Sequence, residues 1–515
     1  MADLTDTGRP AASGSRLPRT PLGWTVLVVS AVLAFVILVE VVNVAFRDPY
    51  ADAPFLFTFQ GILSDIDIAW LSILMFGALL VLLFAGMPLV FVTGALGVLF
   101  IYLVGDQFML NIIPTRIFPM MTDYQLSAIP LFIFMASMLE RAGLIDEMFD
   151  VLYKWMGGVR GGLAVATIVA STILAAMVGV IGAAVVTMGI IALPAMLKRA
   201  YDPKIALGAI MAGGTLGILI PPSILAIIYA VVAQQSVGEL YIGSILPGLL
   251  LSGLYIAYVG IRSLANPRLG PALPMAERVS MVEKLVLLRR MAAPAVLIVL
   301  VLGVIFTGAA TPVEAAAIGS FGAMVVAAMH GRLSLRSVKE ACISTTKASA
   351  MVLWIIFGAT IFVGFYILRG GQEFVSDLIL GTGLGPYGVL ALMMLILFFL
   401  GMFLDWVGIL LLAVPIFIPI IGQFTFEGVL GLPGVDQAKV PLWFGVLYLV
   451  NMQMAFLSPP FGYALFYMRG VAPKSISTGT IFASALPFLA IQVTGLLVCI
   501  LFPEIVLWLP RLVYG

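Results

Sequence analysis

Cysteine and histidine are almost missing from this chain of 515 residues: it holds Cys342, Cys499 and a single histidine, His330. Two distant cysteines give neither a disulfide framework nor a metal knuckle. One histidine, beside Gly331 at the end of an apolar segment, leaves no Ser/His/Asp or Cys/His constellation anywhere else in the chain. There it reads as an interfacial helix-end residue. Charge is scarce too: 10% of residues are charged and the net charge is +1, which implies no nucleic-acid partner. A Gly-x-x-x-x-Gly-Lys-Ser/Thr phosphate loop is missing, so no ATP site of that kind is encoded. No cleavable signal stands out.

What fills the chain instead is hydrophobic sequence, 62% of it, far above a soluble domain. Apolar runs of spanning length indicate an all-α polytopic membrane protein of about 11 transmembrane helices plus two re-entrant hairpins. Residues 1–22 are polar, carry Arg9, Arg16 and Arg19, and are expected to form a disordered cytoplasmic tail. An extra N-terminal transmembrane helix follows at 23–46, then scaffold helices over 67–104. Segment 105–124 reads as a polar external stretch. Residues 263–347 hold cytoplasmic loops and scaffold helices; the loops carry Arg262, Arg268, Arg278, Arg289, Arg290, Arg332, Arg336, Lys339 and Lys347. Orientation by basic loops puts the N-terminus in the cytoplasm and the C-terminus in the periplasm.

The remaining two stretches, 125–262 and 348–506, repeat one order: span, surface segment, hairpin, broken span, span. The hairpins are expected at 161–197 and 385–421, the broken spans at 205–233 and 441–467. By the charge count the first stretch starts outside and the second inside, an inverted-topology repeat. Each broken span carries a proline pair after Gly, Ser, Thr or Asn: Gly213-Gly214-Thr215 before Pro221-Pro222, and Asn451, Gln453 and Ser458 before Pro459-Pro460. Proline removes a donor, clashes with the preceding turn and drives its predecessor out of the α region. Backbone freed at bilayer depth persists where it lines a buried site, so paired breaks point to a secondary transporter. Ser244-Ile245-Leu246-Pro247 and Ser484-Ala485-Leu486-Pro487 extend the match.

In this arrangement each hairpin tip faces the break of the following span. Half-helix N-termini suit a carboxylate, and unwound carbonyls with side-chain oxygens suit Na⁺. The candidate substrate residues are Gly179, Gly182 and Ala183 at the first tip; Gly213, Gly214, Thr215, Pro221 and Pro222 at the first break; and Asn451, Gln453, Ser458, Pro459 and Pro460 at the second. Candidate Na⁺ ligands are Gly214, Thr215, Asp405, Gly408 and Asn451. Bland readings stand beside these. Gly213-Gly214 also allows close helix packing, and Asp405 also suits a helix cap. Glu314, after Thr311-Pro312, reads as a capping residue, and Glu140-Arg141 as an interfacial pair.

At these residues the chain resembles the large membrane subunit of TRAP (tripartite ATP-independent periplasmic) transporters. The resemblance rests on Ile129–Phe134, Gly213–Ser223, Ala310–Gly319, Gly401–Asp405, Val414–Pro419 and Leu457–Gly462, and runs from about 67 to 506. Asp405-Trp406, Phe461–Tyr467 and Arg469–Pro473 make it most similar to the branch labelled mannitol/chloroaromatic or 2-oxo acid transport. The resemblance implies Na⁺-coupled uptake of an organic acid anion across the inner membrane by an elevator movement, with no cofactor beyond the coupling ion. It also implies two partners, a periplasmic substrate-binding protein and a small four-helix membrane subunit. The first tip departs from the family pattern: Val178, Gly179, Val180 and Ile181 stand where many members are rich in serine, leaving coordination there to the backbone. The extra helix at 23–46 resembles the joining helix of fused subunits, so the small subunit is expected to be encoded separately. The rival reading is a stand-alone sodium/carboxylate symporter working without a binding protein. An intramembrane enzyme lacks a catalytic set.

Overall fold

In the computed structural model the described residues are 63–515, without 106–108, 180, 275–277, 429–432 and 461, together with positions 31, 35, 38, 39 and 42. The expected tail 1–22, and all but five positions of the expected helix 23–46, lie outside them. The described chain is helical, with one isolated bridge between Phe426 and Val435 and no β-strand among the described residues.

Helices α1 (Ile68–Phe84) and α2 (Leu89–Val104) form a pair around the Gly86 turn, where φ is +86°. The stretch expected to be merely polar contains α3 (Ile112–Thr122), which meets α4 (Ala128–Arg141) through a 57° bend. Its turns are apolar enough to fold, and Asp123 starts the bend by accepting from the Gln125 N–H at 2.8 Å. Next come α5 (Leu144–Met156), α6 (Gly162–Val178) and α7 (Ile181–Leu197). The first proline pair falls between α8 (Pro203–Thr215) and α9 (Ile224–Val232). Asp202 caps α8 on the Lys204 N–H at 2.8 Å, with Pro203 pre-set in the first turn.

Then follow α10 (Val237–Ala265), α11 (Met281–Leu288), α12 (Ala292–Phe306) and α13 (Pro312–Met329). Thr311 and Glu314 form a reciprocal capping box at the start of α13. The second half holds α14 (Leu335–Leu368), α15 (Gly371–Leu380), α16 (Pro386–Gly401) and α17 (Trp406–Ile421). The second proline pair falls between α18 (Val440–Leu457) and α19 (Tyr463–Val471), followed by α20 (Thr478–Leu501) and α21 (Glu504–Tyr514).

Among the described residues five helices are long and apolar enough to cross a membrane, and up to seven spans result if each bent pair counts once. The other apolar helices run 16–17 residues, about 25 Å at 1.5 Å per residue and short of a hydrocarbon core of roughly 30 Å. They are the α1–α2 pair, the arms α6–α7 and α16–α17, and α8 with its 3₁₀ extension.

The core is built around α8 and α18. Every residue from Ile205 to Thr215 is buried, as is every residue from Leu442 to Leu457. Hairpin arms α6 and α7 and the late helix α20 pack on α8, while α16, α20 and α10 pack on α18. The two halves therefore interlock. Tyr229 of α9 stacks on Tyr448 of α18 with ring centroids 5.9 Å apart, and its hydroxyl donates to the Pro441 carbonyl at 2.6 Å. Elsewhere α14 packs on α2 and α4, and α13 on α4. Arg141 pairs with Glu340 of α14 at 2.6 Å rather than with its neighbour Glu140, since adjacent helical residues face different ways.

Candidate functional site

The first break is a closed knot. After Thr215 the chain tightens into a 3₁₀ turn, Leu216–Ile218, and restarts as α9 at Ile224. Ser223 does the joining: its hydroxyl donates to the Ile218 carbonyl at 2.5 Å and caps the Ala226 N–H at 3.4 Å. Tyr241 of α10 donates to the Ser223 carbonyl at 3.2 Å. Thr215 donates to the Ala212 carbonyl at 2.8 Å and accepts from Gln492 Nε2 of α20 at 3.2 Å. Everything from Gly213 to Ser223 is buried. The Pro221-Pro222 bond is cis.

The first hairpin tip sits on this knot. Gly179 holds φ +62°, and a Cβ there would lie 2.7 Å from the Pro222 carbonyl oxygen. Only glycine meets both demands. A Cβ on Gly214 would lie 2.4 Å from a Val185 methyl of α7, and one on Gly213 would lie 2.8 Å from Ser171 Cβ of α6. The glycine pair thus lets both arms close on α8. Gly182 faces elsewhere: its Cβ would meet the Tyr467 ring of α19 at 2.9 Å. Ala183, half-buried, follows in α7.

The second break is looser. Between Leu457 and Tyr463 the Ser458 hydroxyl reaches, among the described residues, only its neighbour's carbonyl, Pro459, at 3.4 Å. Pro459 is half-buried, Pro460 is exposed, and their peptide bond is also cis. A Cβ on Gly462 would lie 2.5 Å from the Phe456 carbonyl oxygen, so the chain re-enters α19 over bare backbone. Asn451 donates through Nδ2 to the Met394 carbonyl of α16 at 2.6 Å, and its Oδ1 has no partner. Gln453 is fully buried and both its Nε2 and its Oε1 are unpartnered. It lies about 200° round the helix from Asn451, away from the α16 contact.

The second hairpin meets this break through Gly401, whose Cβ would lie 2.3 Å from Ala455 Cβ. Asp405 caps α17, accepting from the Val407 N–H at 3.3 Å. Gly408 is not brought to the break: it faces the Leu89 side chain of α2. The structure therefore gathers Gly179, Gly213, Gly214, Thr215, Pro221 and Pro222 around the first break, and Asn451, Gln453, Ser458, Pro459 and Pro460 along the second. Asp405 stands at the second tip.

Sequence reasoning missed Gln492 and Tyr255. Gln492 joins Thr215, and the Tyr255 hydroxyl lies beside both, outside hydrogen-bonding geometry; it and Gln492 Oε1 are buried and unpartnered. A carboxamide in an apolar run, five residues past Pro487, was the available signal for Gln492.

With respect to known proteins, residues 76–505 match the family described as Tripartite ATP-independent periplasmic transporter, DctM component. The chain belongs to this family. It is 32% identical over 397 residues to the C4-dicarboxylate TRAP transporter large permease protein DctM of Pseudomonas aeruginosa, covering 77% of this chain and 88% of that one. It is 30% identical over 448 residues to the ectoine/5-hydroxyectoine TRAP transporter large permease protein UehC of Ruegeria pomeroyi, covering 85% and 99%. In fold it is similar to the Alcanivorax borkumensis YdaH transporter, with a TM-score of 0.57 at 19% identity over 83% of this chain and 97% of that one. The DctM family is one of multi-pass membrane transporters, not of enzymes. Both breaks and both hairpins lie inside the matched residues.

Proposed function

We propose that this DctM-family permease takes up an organic acid anion with Na⁺, binding both between the hairpin tips and the two helix breaks. The observation that carries this reading is Gln453, fully buried with a donor and an acceptor unpartnered. Orphaned buried amide atoms are costly, and a polar ligand in the break satisfies them. Asn451 Oδ1 and Gln492 Oε1 are further orphaned acceptors suited to a hard cation or a hydroxyl. The restarting N-termini of α9 and α19 offer N–H groups to a carboxylate. Asp405 accepts one N–H, from Val407, and keeps acceptor capacity, whereas Gly408 is turned to α2, so Asp405 and Asn451, with Gly214 and Thr215, are the ion candidates that remain.

In this proposal the two halves are inverted-topology repeats that carry the substrate by an elevator movement against α1–α2 and α12–α13. The permease sits in the inner membrane, N-terminus in the cytoplasm and C-terminus in the periplasm. It works with a small four-helix membrane subunit and a periplasmic binding protein, in keeping with the tripartite family description. The substrate is a carboxylate. The 2-oxo or aromatic acid assignment rests on Asp405-Trp406, Phe461–Tyr467 and Arg469–Pro473, while relatives are named for C4-dicarboxylates, sialic acid, isethionate and ectoine.

The test is uptake of labelled acids into proteoliposomes holding this chain and its small partner. Both the binding protein and an inward Na⁺ gradient are expected to be required. Na⁺-driven uptake without a binding protein would replace this reading with a stand-alone symporter.

A further inference from the structure

A void lies between the second hairpin and α1. The arms α16 and α17, the tip residue Leu404, α1 and α15 enclose about 280 Å³. That is roughly nine times the ~30 Å³ a water takes in the liquid, whereas protein cores leave few voids larger than one water. Every lining side chain is Leu, Ile, Val, Phe or Ala. Much of the wall is packed interior: Leu79, Ile379, Leu404, Ile416 and Phe417 are each at most 5% exposed. Ala413 is the smallest residue of the α17 wall, and it leaves the room. On the α1 wall Phe76 is braced from behind, edge-on to Phe362 and Tyr366 of α14 with ring centroids 5.6 and 5.2 Å away, so it is held out of the gap. Leu378 of α15, 64% exposed, marks the mouth. No residue of the proposed substrate and ion site lines the void.

The chemistry of the walls selects the occupant. Water needs two to four polar partners and finds none here. A polar solute would lose its hydrogen bonds on entry. Hydrocarbon loses nothing, gains dispersion contacts with walls that now face a gap, and surrounds a membrane-spanning chain as its solvent. We infer that the void is a binding site for one acyl chain of a membrane phospholipid, which enters past Leu378 and lies between the second hairpin and α1. A chain seated there packs the hairpin against α1 and α15 through lipid as well as through protein.

The test is photolabelling of the full chain in nanodiscs of phosphatidylcholine that carries a diazirine on one acyl chain, with adducts mapped by peptide mass spectrometry. Adducts are expected on Ile416 and Phe417, buried side chains that bulk lipid does not reach, and on Val296 of α12, which is 66% exposed and serves as the bulk reference. Ala413→Leu fills the void. It is expected to lower the Ile416 and Phe417 adducts at least about fivefold relative to Val296, and to raise the melting temperature as cavity filling does. Phe417→Ala enlarges the void and is expected to raise the Ile416 adducts instead. Opposite changes at Ile416 against a constant Val296 signal separate occupancy from misfolding. Wild-type adducts confined to exposed positions mean a dry void and overturn the inference, as does Ile416 labelling that Ala413→Leu leaves unchanged relative to Val296. Loss of the Ile416 adducts when the small membrane subunit is added gives the space to that partner and also overturns it. No transport is measured, so failure of the uptake reading leaves this test intact.

Discussion

The two helix breaks carry the same proline pair and differ in almost everything around it. The first, Gly213–Ser223, is buried throughout, and Ser223, Tyr241 and Gln492 tie it to its surroundings. The second, Asn451–Gly462, opens at Pro460 and leaves Asn451 Oδ1 and both Gln453 amide atoms without partners. In register from the proline pair, Gln453 occupies the position of Thr215 and Asn451 that of Gly213. Similar backbone devices thus hold unlike chemistry: the first break bonds its own polar side chains and leaves unpartnered atoms on the neighbouring Gln492 and Tyr255, whereas the second leaves them on its own Asn451 and Gln453. The hairpin tips differ the same way. The second tip carries Asp405, whereas the first reads Val178, Gly179, Val180 and Ile181, with no charged residue. The difference teaches that a duplicated proline pair specifies where a helix breaks, while the side chains around each copy decide which polar atoms are satisfied.

The most severe way to break the comparison is to jam the closed side. Gly179→Val places a branched side chain at φ +62° and against the Pro222 carbonyl. Strain of about 1–3 kcal/mol from the backbone alone is expected, with uptake lost and the melting temperature of the purified protein lowered. Retention of both would show that the tip need not touch the first break.

A paired substitution sharpens the contrast next. Thr215→Val leaves Gln492 Nε2 buried without an acceptor and is expected to cost about 1–3 kcal/mol. Gln453→Leu removes two atoms that are already orphaned, so stability is expected to hold or rise while uptake falls about tenfold or more. Thermal melts and uptake rates measured side by side check this. Equal destabilisation by both would mean that Gln453 is engaged in the resting protein.

Asn451→Ala comes third. It removes the bond to the Met394 carbonyl, worth about 1 kcal/mol, and is expected to shift the Na⁺ titration of uptake to higher concentration. An unchanged Na⁺ curve would confine Asn451 to packing. The smallest effect is expected at the second tip. Asp405→Asn keeps a good capping side chain, whereas Asp405→Ala is expected to cost about 1 kcal/mol. If Asp405 only caps, Asp405→Asn leaves the Na⁺ titration unmoved; a shift in that curve would make it an ion ligand.

Much of the helical plan was legible before any coordinates. Proline chemistry located both breaks, since no local sequence carries a helix through Pro221-Pro222 or Pro459-Pro460. Thr311-Pro312 with Glu314 announced a capped start and formed one. The site was less legible. Gly408 and Asp405 looked alike as tip residues, yet one faces Leu89 of α2 and the other caps its own helix. Glu140-Arg141 looked like a pair, yet Arg141 reaches Glu340 in a helix 199 residues away.

By itself the sequence determined a helical, strongly apolar chain with two proline-broken helices, because apolar length and proline act locally; the DctM family follows from the match over residues 76–505. Only the tertiary structure decided which polar atoms are satisfied. Gln492 meets Thr215 across 277 residues, and the Gln453 amide finds no hydrogen-bond partner among the described residues. Whether a buried amide is structural or available depends on what packs opposite it, and that partner comes from a distant helix no local pattern names.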